Sequence, residues 1–149
     1  MDEFDRIERQ IEIGAPASRV WQLVSEPGWY INDNQIVEHR IERSGPVAVV
    51  HDPVHGAFAF RTVELEEPRY AAFRWLADAA DPDAASTLVE FWIEETSETS
   101  VVLKVVESGF GSLPGDAQER RRRFDENTEG WRIELDLAKS HLEGVRAAR

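Results

Sequence analysis

With 149 residues, 42% of them hydrophobic, the chain is long enough for a substantial core, and we predict a single domain over residues 1–149. The absence of cysteine excludes disulfides, thiolate zinc sites and cysteine nucleophiles. Acidic residues number 29 against 17 basic residues, and the formal net charge of −12 disfavours nonspecific binding to nucleic acid or to an anionic membrane. The charged N-terminus precedes no long apolar run, so we expect no signal peptide, no transmembrane span and a cytoplasmic location.

The first elements of the chain are a predicted strand and a short helix. Apolar and polar side chains alternate over residues 7–13, which predicts a strand with one buried face. Pro16 suits the first turn of a helix that Pro27-Gly28 ends. The buried face of this helix is expected to consist of Ala17, Val20, Trp21 and Val24.

A run of about six antiparallel strands is predicted over residues 35–108, where apolar side chains recur mainly with a period of two. Val37, His39 and Ile41 share one face of the first of these strands, so His39 is expected to point inward. Further along, Phe58 and Phe60 have one parity and the next apolar residues have the other. A β-bulge near Arg61-Thr62 would bring both sets to the same face.

The last stretch, from Asp116 to about Ala147, predicts one long α-helix. Leu113-Pro114-Gly115 breaks the preceding structure, and Asp116 with Glu119 forms the pattern of a capping box. The order of elements predicts an α+β fold, with one face of an antiparallel sheet holding the helix and the other facing water. The apolar stripe of the helix is expected to consist of Phe124, Thr128, Trp131, Leu135, Ala138, Leu142 and Val145.

In this order of elements the chain resembles the helix-grip, START-like (SRPBCC) superfamily, in particular the branch named after the activator of the heat-shock protein 90 ATPase. Three passages carry the resemblance: residues 13–21 (IGAPASRVW), 67–75 (EPRYAAFRW), and 107–110 (ESGF) together with 127–131 (NTEGW). The resemblance implies a curved sheet of six to seven strands around the C-terminal helix, short helices after the first strand, and a cavity that takes an apolar small molecule. Ala71 and Ala72 stand where the family has larger aliphatic residues, so either the cavity is enlarged or Tyr70 fills the space.

Glu107 is the strongest candidate for a functional polar group. It has the same parity as Leu103 and Val105, and so we expect its carboxyl group to point inward. An inward carboxyl group must be paired, hydrogen-bonded or protonated, because its burial as an isolated charge is costly. We therefore predict either a functional site at Glu107 or an ion pair with an arginine such as Arg61 or Arg74.

Two other polar residues have both a functional and a structural interpretation. His39 is either a hydrogen-bonded core histidine or a ligand-binding or catalytic residue. Asn127 precedes Trp131 by one helical turn, so both can face the sheet. Its amide either contacts a ligand or ties the helix to a strand.

An aromatic set from several elements predicts an apolar pocket, although most of these side chains must also belong to the core. The expected mouth lies between Trp29-Tyr30, the loop from Glu107 to Phe110 and the first half of the long helix, where loops replace continuous strands. The predicted cavity residues are Trp29, Tyr30, His39, Phe73, Trp75, Phe91, Glu107, Phe110, Asn127 and Trp131.

Neither a cofactor nor a metal is predicted. His51 and His55 are four residues apart, but Pro53 between them rules out the helical spacing that would suit a metal. Arg120–Arg123 is a basic run that is interpreted as a solvated helix surface, with a phosphate site as the alternative. The chain has no nucleophile elbow, phosphate-binding glycine loop or zinc-protease pair.

Three functions are compatible with these patterns. The first is the binding of an apolar or aromatic small molecule, by a protein that is a monomer or a homodimer. The second is a cyclase or hydratase type of enzyme that uses Glu107 or His39 to move a proton. The third is a cochaperone-like interaction with another protein through an outer face. The abundance of aromatic residues and the scarcity of inward polar groups favour the first.

Overall fold

The computed structural model describes residues 6–32, 35–78, 81 and 83–147. Over these residues the chain forms seven strands and two α-helices, with a 3-10 turn at Phe110–Ser112. The elements are β1 (Arg6–Ile13), α1 (Ala17–Val24), β2 (Arg40–Ser44), β3 (Val47–Asp52), β4 (Gly56–Glu66), β5 (Tyr70–Leu76), β6 (Ser86–Ser97), β7 (Ser100–Ser108) and α2 (Ala117–Ala147).

All seven strands belong to one antiparallel sheet in the order β1-β7-β6-β5-β4-β3-β2. The first strand therefore pairs with the last, while the other strands follow one another as hairpins. One cross-strand row runs from Ile7 through Glu107 and Val89 to Phe73, and all four side chains are buried. These residues define the inner face of the sheet, on which α2 lies. The predicted α+β class is confirmed, with one short helix after β1 in the described chain.

The helix α2 lies on the inner face as its apolar stripe predicts. Trp131, Leu135, Ala138 and Leu142 are buried, and Phe124 and Thr128 are half-buried. The side chain of Val145 lies outside the described residues. The predicted capping box is present, because the Glu119 amide donates to Asp116 Oδ1 at 2.8 Å and the Asp116 amide donates to Glu119 Oε1 at 3.4 Å. Both ends of the capping pattern thus fix where the helix begins.

The predicted β-bulge in β4 is confirmed, one residue beyond the expected position. Thr62 pairs with Phe73 and Glu64 pairs with Ala72, so Val63 is the additional residue. As a result Leu65 lies opposite Ala71, on the same face as the Phe60–Trp75 pair. The bulge thereby brings Leu65 to the expected face, but Leu65 is 49% exposed and the additional residue Val63 is 53% exposed, so neither belongs to the core.

The strand expected from Gln35 is wrong over its first residues, because β2 begins only at Arg40. The preceding segment is held by side chains instead of a strand ladder. Asn32 Oδ1 accepts a hydrogen bond from the Val37 amide at 3.1 Å, and His39 Nε2 lies 2.8 Å from Asp52 Oδ1. Such local side-chain bonds compete with regular secondary structure. Neither helix in the described part of the chain is long and apolar enough to cross a membrane.

Candidate functional site

A groove runs between the first half of α2 and the strands that lie beneath it. It consists of two neighbouring hollows that share Trp75 and Asn127. The larger, which we call the Glu107 recess, has a volume of about 210 Å³ and is lined by Phe58, Trp75, Leu76, Ala77, Thr87, Glu107, Leu113, Arg123 and Asn127. The smaller, which we call the Tyr30 recess, has a volume of about 110 Å³ and is lined by Tyr30, Trp75, Asn127, Gly130, Trp131 and Glu134.

Glu107 belongs to the lining of the Glu107 recess and is only 1% exposed. Its Oε2 accepts a hydrogen bond from the Thr87 hydroxyl at 2.6 Å. Its Oε1 accepts hydrogen bonds from the Asn127 amide at 3.0 Å and from the Trp131 indole at 2.8 Å. Burial raises the pKa of Glu107, and these three hydrogen bonds oppose the increase. The side chain is thus fixed in position by neutral donors from β6 and α2.

The alternative expectation of an ion pair between Glu107 and Arg61 or Arg74 is wrong. Arg61 and Arg74 are opposite each other in the register of β4 and β5, and Arg74 is opposite Leu88 on β6. Side chains alternate along a strand, so both arginines lie on the face opposite to Phe73 and Glu107. Within the described chain, the hydrogen bonds to Glu107 come from neutral groups only.

Tyr30 brings a second buried polar group to the groove. Tyr30 is 4% exposed, and its ring lies 4.6 Å from the Trp131 ring and 5.3 Å from the Trp75 ring, measured between centroids. Its hydroxyl has no hydrogen-bond partner among the described residues. Burial and the charge of Glu107 raise the pKa of Tyr30, so the phenol stays protonated. A buried hydroxyl without a partner is an exception in folded proteins and indicates a place for a ligand or water.

Glu134 is a site residue that the sequence interpretation missed. Its Oε1 accepts a hydrogen bond from Asn32 Nδ2 at 2.8 Å, which connects α2 to the segment after Trp29. The pKa of Glu134 is raised to about 7, mainly by burial. The hydrogen bond from Asn32 lowers this pKa, and the negative charge of Asp52 raises it further. The signal was available in the spacing, since Asn127, Gly130, Trp131 and Glu134 lie on one side of a helix.

Gly130 was missed as well, although glycine within a helix is unusual. A Cβ added at Gly130 would meet no atom within 4 Å, because the residue borders the open Tyr30 recess. Glycine costs about 1 kcal/mol relative to alanine inside a helix. Gly144 is also in α2 with open space around it, but it does not line the groove. The two glycines therefore form a matched pair for experiments.

The predicted cavity residues fall into two groups. The first group lines the groove: Tyr30, Trp75, Glu107, Asn127 and Trp131. The second group does not: Trp29, His39, Phe73, Phe91 and Phe110. Trp29, Phe73, Phe91 and Phe110 are at most 2% exposed and form the core behind the groove walls. The role of the first group in ligand binding stays a prediction.

His39 is a core histidine in this structure. Its side chain is 0% exposed, and Nε2 lies 2.8 Å from Asp52 Oδ1. The other oxygen of Asp52 accepts hydrogen bonds from the amides of Val54 and His55 at 2.9 and 2.8 Å. His39 therefore supports the turn after β3, outside the walls of the groove.

The expected mouth is partly wrong. The first half of α2 does border the groove, but Trp29 and Phe110 are packed in the core. Phe110 lies in the 3-10 turn, where its carbonyl accepts from the Leu113 amide at 3.1 Å and its ring lies 5.5 Å from the Phe124 ring. The lining of the Glu107 recess includes Leu76, Ala77 and Leu113, which the expected mouth did not.

A depression larger than both hollows, with a volume of about 800 Å³, is on the outer face of the sheet. Two of its polar side chains already have partners, because the Tyr70 hydroxyl donates to Glu90 at 2.6 Å and Lys104 lies 3.0 Å from Glu8. The Tyr70 ring lies against Trp92, 5.2 Å between centroids. Tyr70 thus faces away from the groove, on the same face of β5 as Ala72 and on the opposite face from Ala71. It therefore does not fill the space beside Ala71, and the expectation that it fills the space beside Ala72 stays a prediction.

His51, His55 and the basic run Arg120–Arg123 are half-buried or exposed. His51 Nε2 is 2.5 Å from Glu42 Oε1, and His55 is exposed in the turn after β3. In the described ranges no three His, Cys, Asp or Glu side chains form a group that could hold a metal ion. Of the basic run, Arg121 bonds to Asp125 at 3.1 Å, and Arg123 borders the Glu107 recess.

No protein-family model and no curated protein matches this chain. Solved structures, in contrast, match this chain and have the same fold. The Aha1 dimer from Colwellia psychrerythraea is 16% identical over 93% of this chain and 96% of that chain, with a TM-score of 0.65. The Zhui aromatase/cyclase from Streptomyces sp. R1128 is 20% identical over 97% of this chain and 95% of that chain, with a TM-score of 0.65. A Nitrosomonas europaea protein is 16% identical over 99% of both chains, with a TM-score of 0.67.

These identities are low, so the comparisons concern the fold and carry no activity over to this chain. The resemblance noted in the sequence is confirmed at that level. The chain has the helix-grip fold, an antiparallel sheet of seven strands with a long C-terminal helix on its inner face, which the Aha1 and aromatase/cyclase structures share.

Proposed function

We propose that this protein binds a small apolar or aromatic molecule in the groove formed by the Glu107 recess and the Tyr30 recess. The observation that carries the proposal is the Tyr30 recess itself. Aromatic side chains form its walls, and the buried Tyr30 hydroxyl has no partner within the described chain. A groove with apolar walls and a few fixed polar groups is the usual form of a small-molecule site.

The dimensions of the groove support a ligand that occupies both hollows. Sites for drug-sized ligands have volumes of about 300–1,000 Å³. The volumes of about 210 and 110 Å³ are each below that range, but the hollows adjoin at Trp75 and Asn127. One aromatic molecule lying across this junction would reach Glu107 at one end and Tyr30 at the other.

Gly130 also supports the proposal, because the missing side chain keeps the Tyr30 recess open. The proposal is tested by a titration of N-phenyl-1-naphthylamine, a neutral fluorescent probe, against the wild type, Gly130→Leu and Gly144→Leu. Leucine is a good helix former, so both variants are expected to fold. We expect Gly130→Leu to weaken binding about tenfold or more and Gly144→Leu to leave it unchanged. Equal affinity of all three proteins would contradict the proposal.

A second candidate function is proton transfer to or from a ligand in the same groove. The observation that favours it is Glu134, whose pKa is raised to about 7 and whose carboxyl group lines the recess beside Tyr30. A general base is most effective when its pKa is near the working pH. This replaces the expectation of a catalytic role for His39, which lies outside the groove walls.

The test of this second candidate is deuterium exchange at the α-carbons of phenylacetone in D₂O, followed by proton NMR. Wild-type protein should accelerate exchange, and Glu134→Gln should remove the acceleration while phenylacetone still binds. Equal exchange rates with and without protein would exclude this chemistry for the probe. The cytoplasmic location and the monomeric or homodimeric state stay predictions.

A further inference from the structure

We propose that the Tyr30 recess takes the ammonium group of an organic cation, whose apolar or aromatic part extends into the Glu107 recess. This inference rests on the proposed small-molecule function and specifies the class of ligand.

The first observation is the aromatic lining of the Tyr30 recess. Tyr30, Trp75 and Trp131 all border it, and the Tyr30 ring lies 4.6 Å from Trp131 and 5.3 Å from Trp75 between centroids. The faces of aromatic rings carry partial negative charge and attract cations, with Trp the most effective. Sites that hold quaternary ammonium groups commonly consist of several aromatic side chains.

The second observation is the carboxyl group of Glu134 in the same wall. One oxygen accepts the hydrogen bond from Asn32, and the other has no hydrogen-bond partner within the residues that the structure describes. The orientation of the side chain is therefore fixed while one oxygen stays available. A cation in the recess would place its charge beside that oxygen, in a half-buried position where the attraction is stronger than at a fully exposed one.

The third observation is the distribution of basic residues. Neither lysine nor arginine is among the described residues that line the Tyr30 recess. The positive side chain of the groove, Arg123, borders the other hollow and is exposed. An anion in the Tyr30 recess would therefore lie beside Glu134 without a positive group in the wall. The net charge of −12 also raises the local concentration of cations at the surface.

The size of the recess favours a head group over a whole ligand. About 110 Å³ is too small for a molecule of several rings, whereas the adjoining recess of about 210 Å³ has apolar walls at Phe58, Leu76 and Leu113. A benzyl-linked ammonium ion fits this division. Its cation would lie in the recess against these aromatic side chains, whose rings contact one another and form one wall, and its ring would lie past Trp75.

The test uses two probes that differ only in one atom: (4-hydroxymethylbenzyl)trimethylammonium and 4-neopentylbenzyl alcohol, in which carbon replaces the charged nitrogen. Affinities are measured by calorimetry at pH 8 for the wild type, Glu134→Gln and Glu126→Gln. Glu126 is exposed on α2 and does not line either recess, so its variant removes the same charge elsewhere. We expect the wild type and Glu126→Gln to bind the cation about tenfold more tightly than the alcohol.

In Glu134→Gln we expect this ratio to fall below about threefold, with the affinity for the alcohol unchanged. A ratio near one in the wild type would overturn the inference, as would equal losses in the Glu134 and Glu126 variants. If both probes bind the wild type with equal affinity and Gly130→Leu blocks both, the proposed function stands while the ammonium inference falls. If neither probe binds the wild type, the ammonium inference is overturned. The proposed function is then excluded for benzyl ligands of this kind.

Discussion

The two halves of α2 differ in how they meet the sheet, although one apolar stripe runs through both. In the second half, Leu135, Ala138 and Leu142 are buried. Polar contacts add to this packing, since Lys139 Nζ donates to the Glu12 carbonyl at 2.9 Å and the Gly14 amide donates to Glu143 at 2.6 Å. The second half is thus closed against β1 and the residues that follow it.

In the first half of α2, the side chains of the same stripe do not fill the space above the sheet, and the groove remains there. Phe124, Asn127, Thr128 and Gly130 are only half-buried. The contacts with the sheet include two specific polar ones, Asn127 to Glu107 at 3.0 Å and Arg9 Nε to the Thr128 carbonyl at 2.8 Å. The periodicity of a helix thus indicates which side faces the sheet, whereas the fit of individual side chains determines where a cavity remains.

Trp131 lies where the two halves meet, and its replacement has the largest expected effect. Trp131→Ala should lower the free energy of unfolding by about 3–5 kcal/mol, as for other large aromatic core residues. The variant also removes one of the three hydrogen-bond donors to buried Glu107. Chemical denaturation measures the loss. A loss below about 1 kcal/mol would mean that the helix does not pack as described.

A comparison of Leu142→Ala with Phe124→Ala measures the difference between the halves. Leu142 is 4% exposed, and its truncation should cost about 3 kcal/mol. Phe124 is larger but half-buried, and we expect its truncation to cost only about 1–2 kcal/mol. Urea denaturation of both variants gives the two values. A greater loss for Phe124→Ala would show that the first half is closed as tightly as the second.

The two helix glycines allow a test with a smaller effect. Gly130→Ala and Gly144→Ala should each stabilise the protein by about 0.5–1 kcal/mol, because both positions are helical and an added Cβ meets open space. Thermal unfolding of the two variants checks this. Destabilisation by Gly130→Ala alone would mean that the space beside Gly130 is filled in solution.

The smallest expected effect concerns the pH dependence of stability. The pKa of Glu134 is about 7 in the folded protein, above its ordinary value of 4.5. The folded state therefore holds the proton more tightly, so this group's contribution to stability is present below about pH 4.5 and is lost as the pH rises to about 7. Because water reaches the carboxyl group, we expect a loss of no more than about 1 kcal/mol.

The variant Glu134→Gln, which does not titrate, isolates this contribution. The difference in unfolding free energy between the wild type and the variant should fall as the pH rises from about 4.5 to about 7 and stay constant above. A difference that is independent of pH over this range would show that the pKa of Glu134 is not raised.

Much of the fold was predictable from residues whose structural role is local. The stripe of α2 follows from helical periodicity, its start from Asp116 and Glu119, and the bulge in β4 from the change of parity after Phe60. Burial of Glu107 followed from alternation along β7. These signals lie within one element, and so no knowledge of the tertiary structure was needed.

The remaining errors depend on contacts between elements. The partners of Glu107 depend on how β6 and α2 pack against β7, although the alternation of Arg74 with Phe73 and Trp75 already placed that arginine on the outer face. The interruption before β2 depends on Asn32 and Asp52, which bond to residues outside the strand ladder. Glu134 and Gly130 become notable only once the open part of the groove is known. Trp29 and Phe110 lie in loops, and sequence does not distinguish a loop side chain at a mouth from one packed in the core.

The most direct test of the ligand-binding groove is a proton–nitrogen NMR titration of the ¹⁵N-labelled protein with N-phenyl-1-naphthylamine. We predict that the largest shift changes occur at the Gly130 amide and at the indole signals of Trp75 and Trp131, while the Gly144 amide stays unchanged. Shift changes that concentrate at Trp92 on the outer face, with none at Gly130, would contradict the proposal.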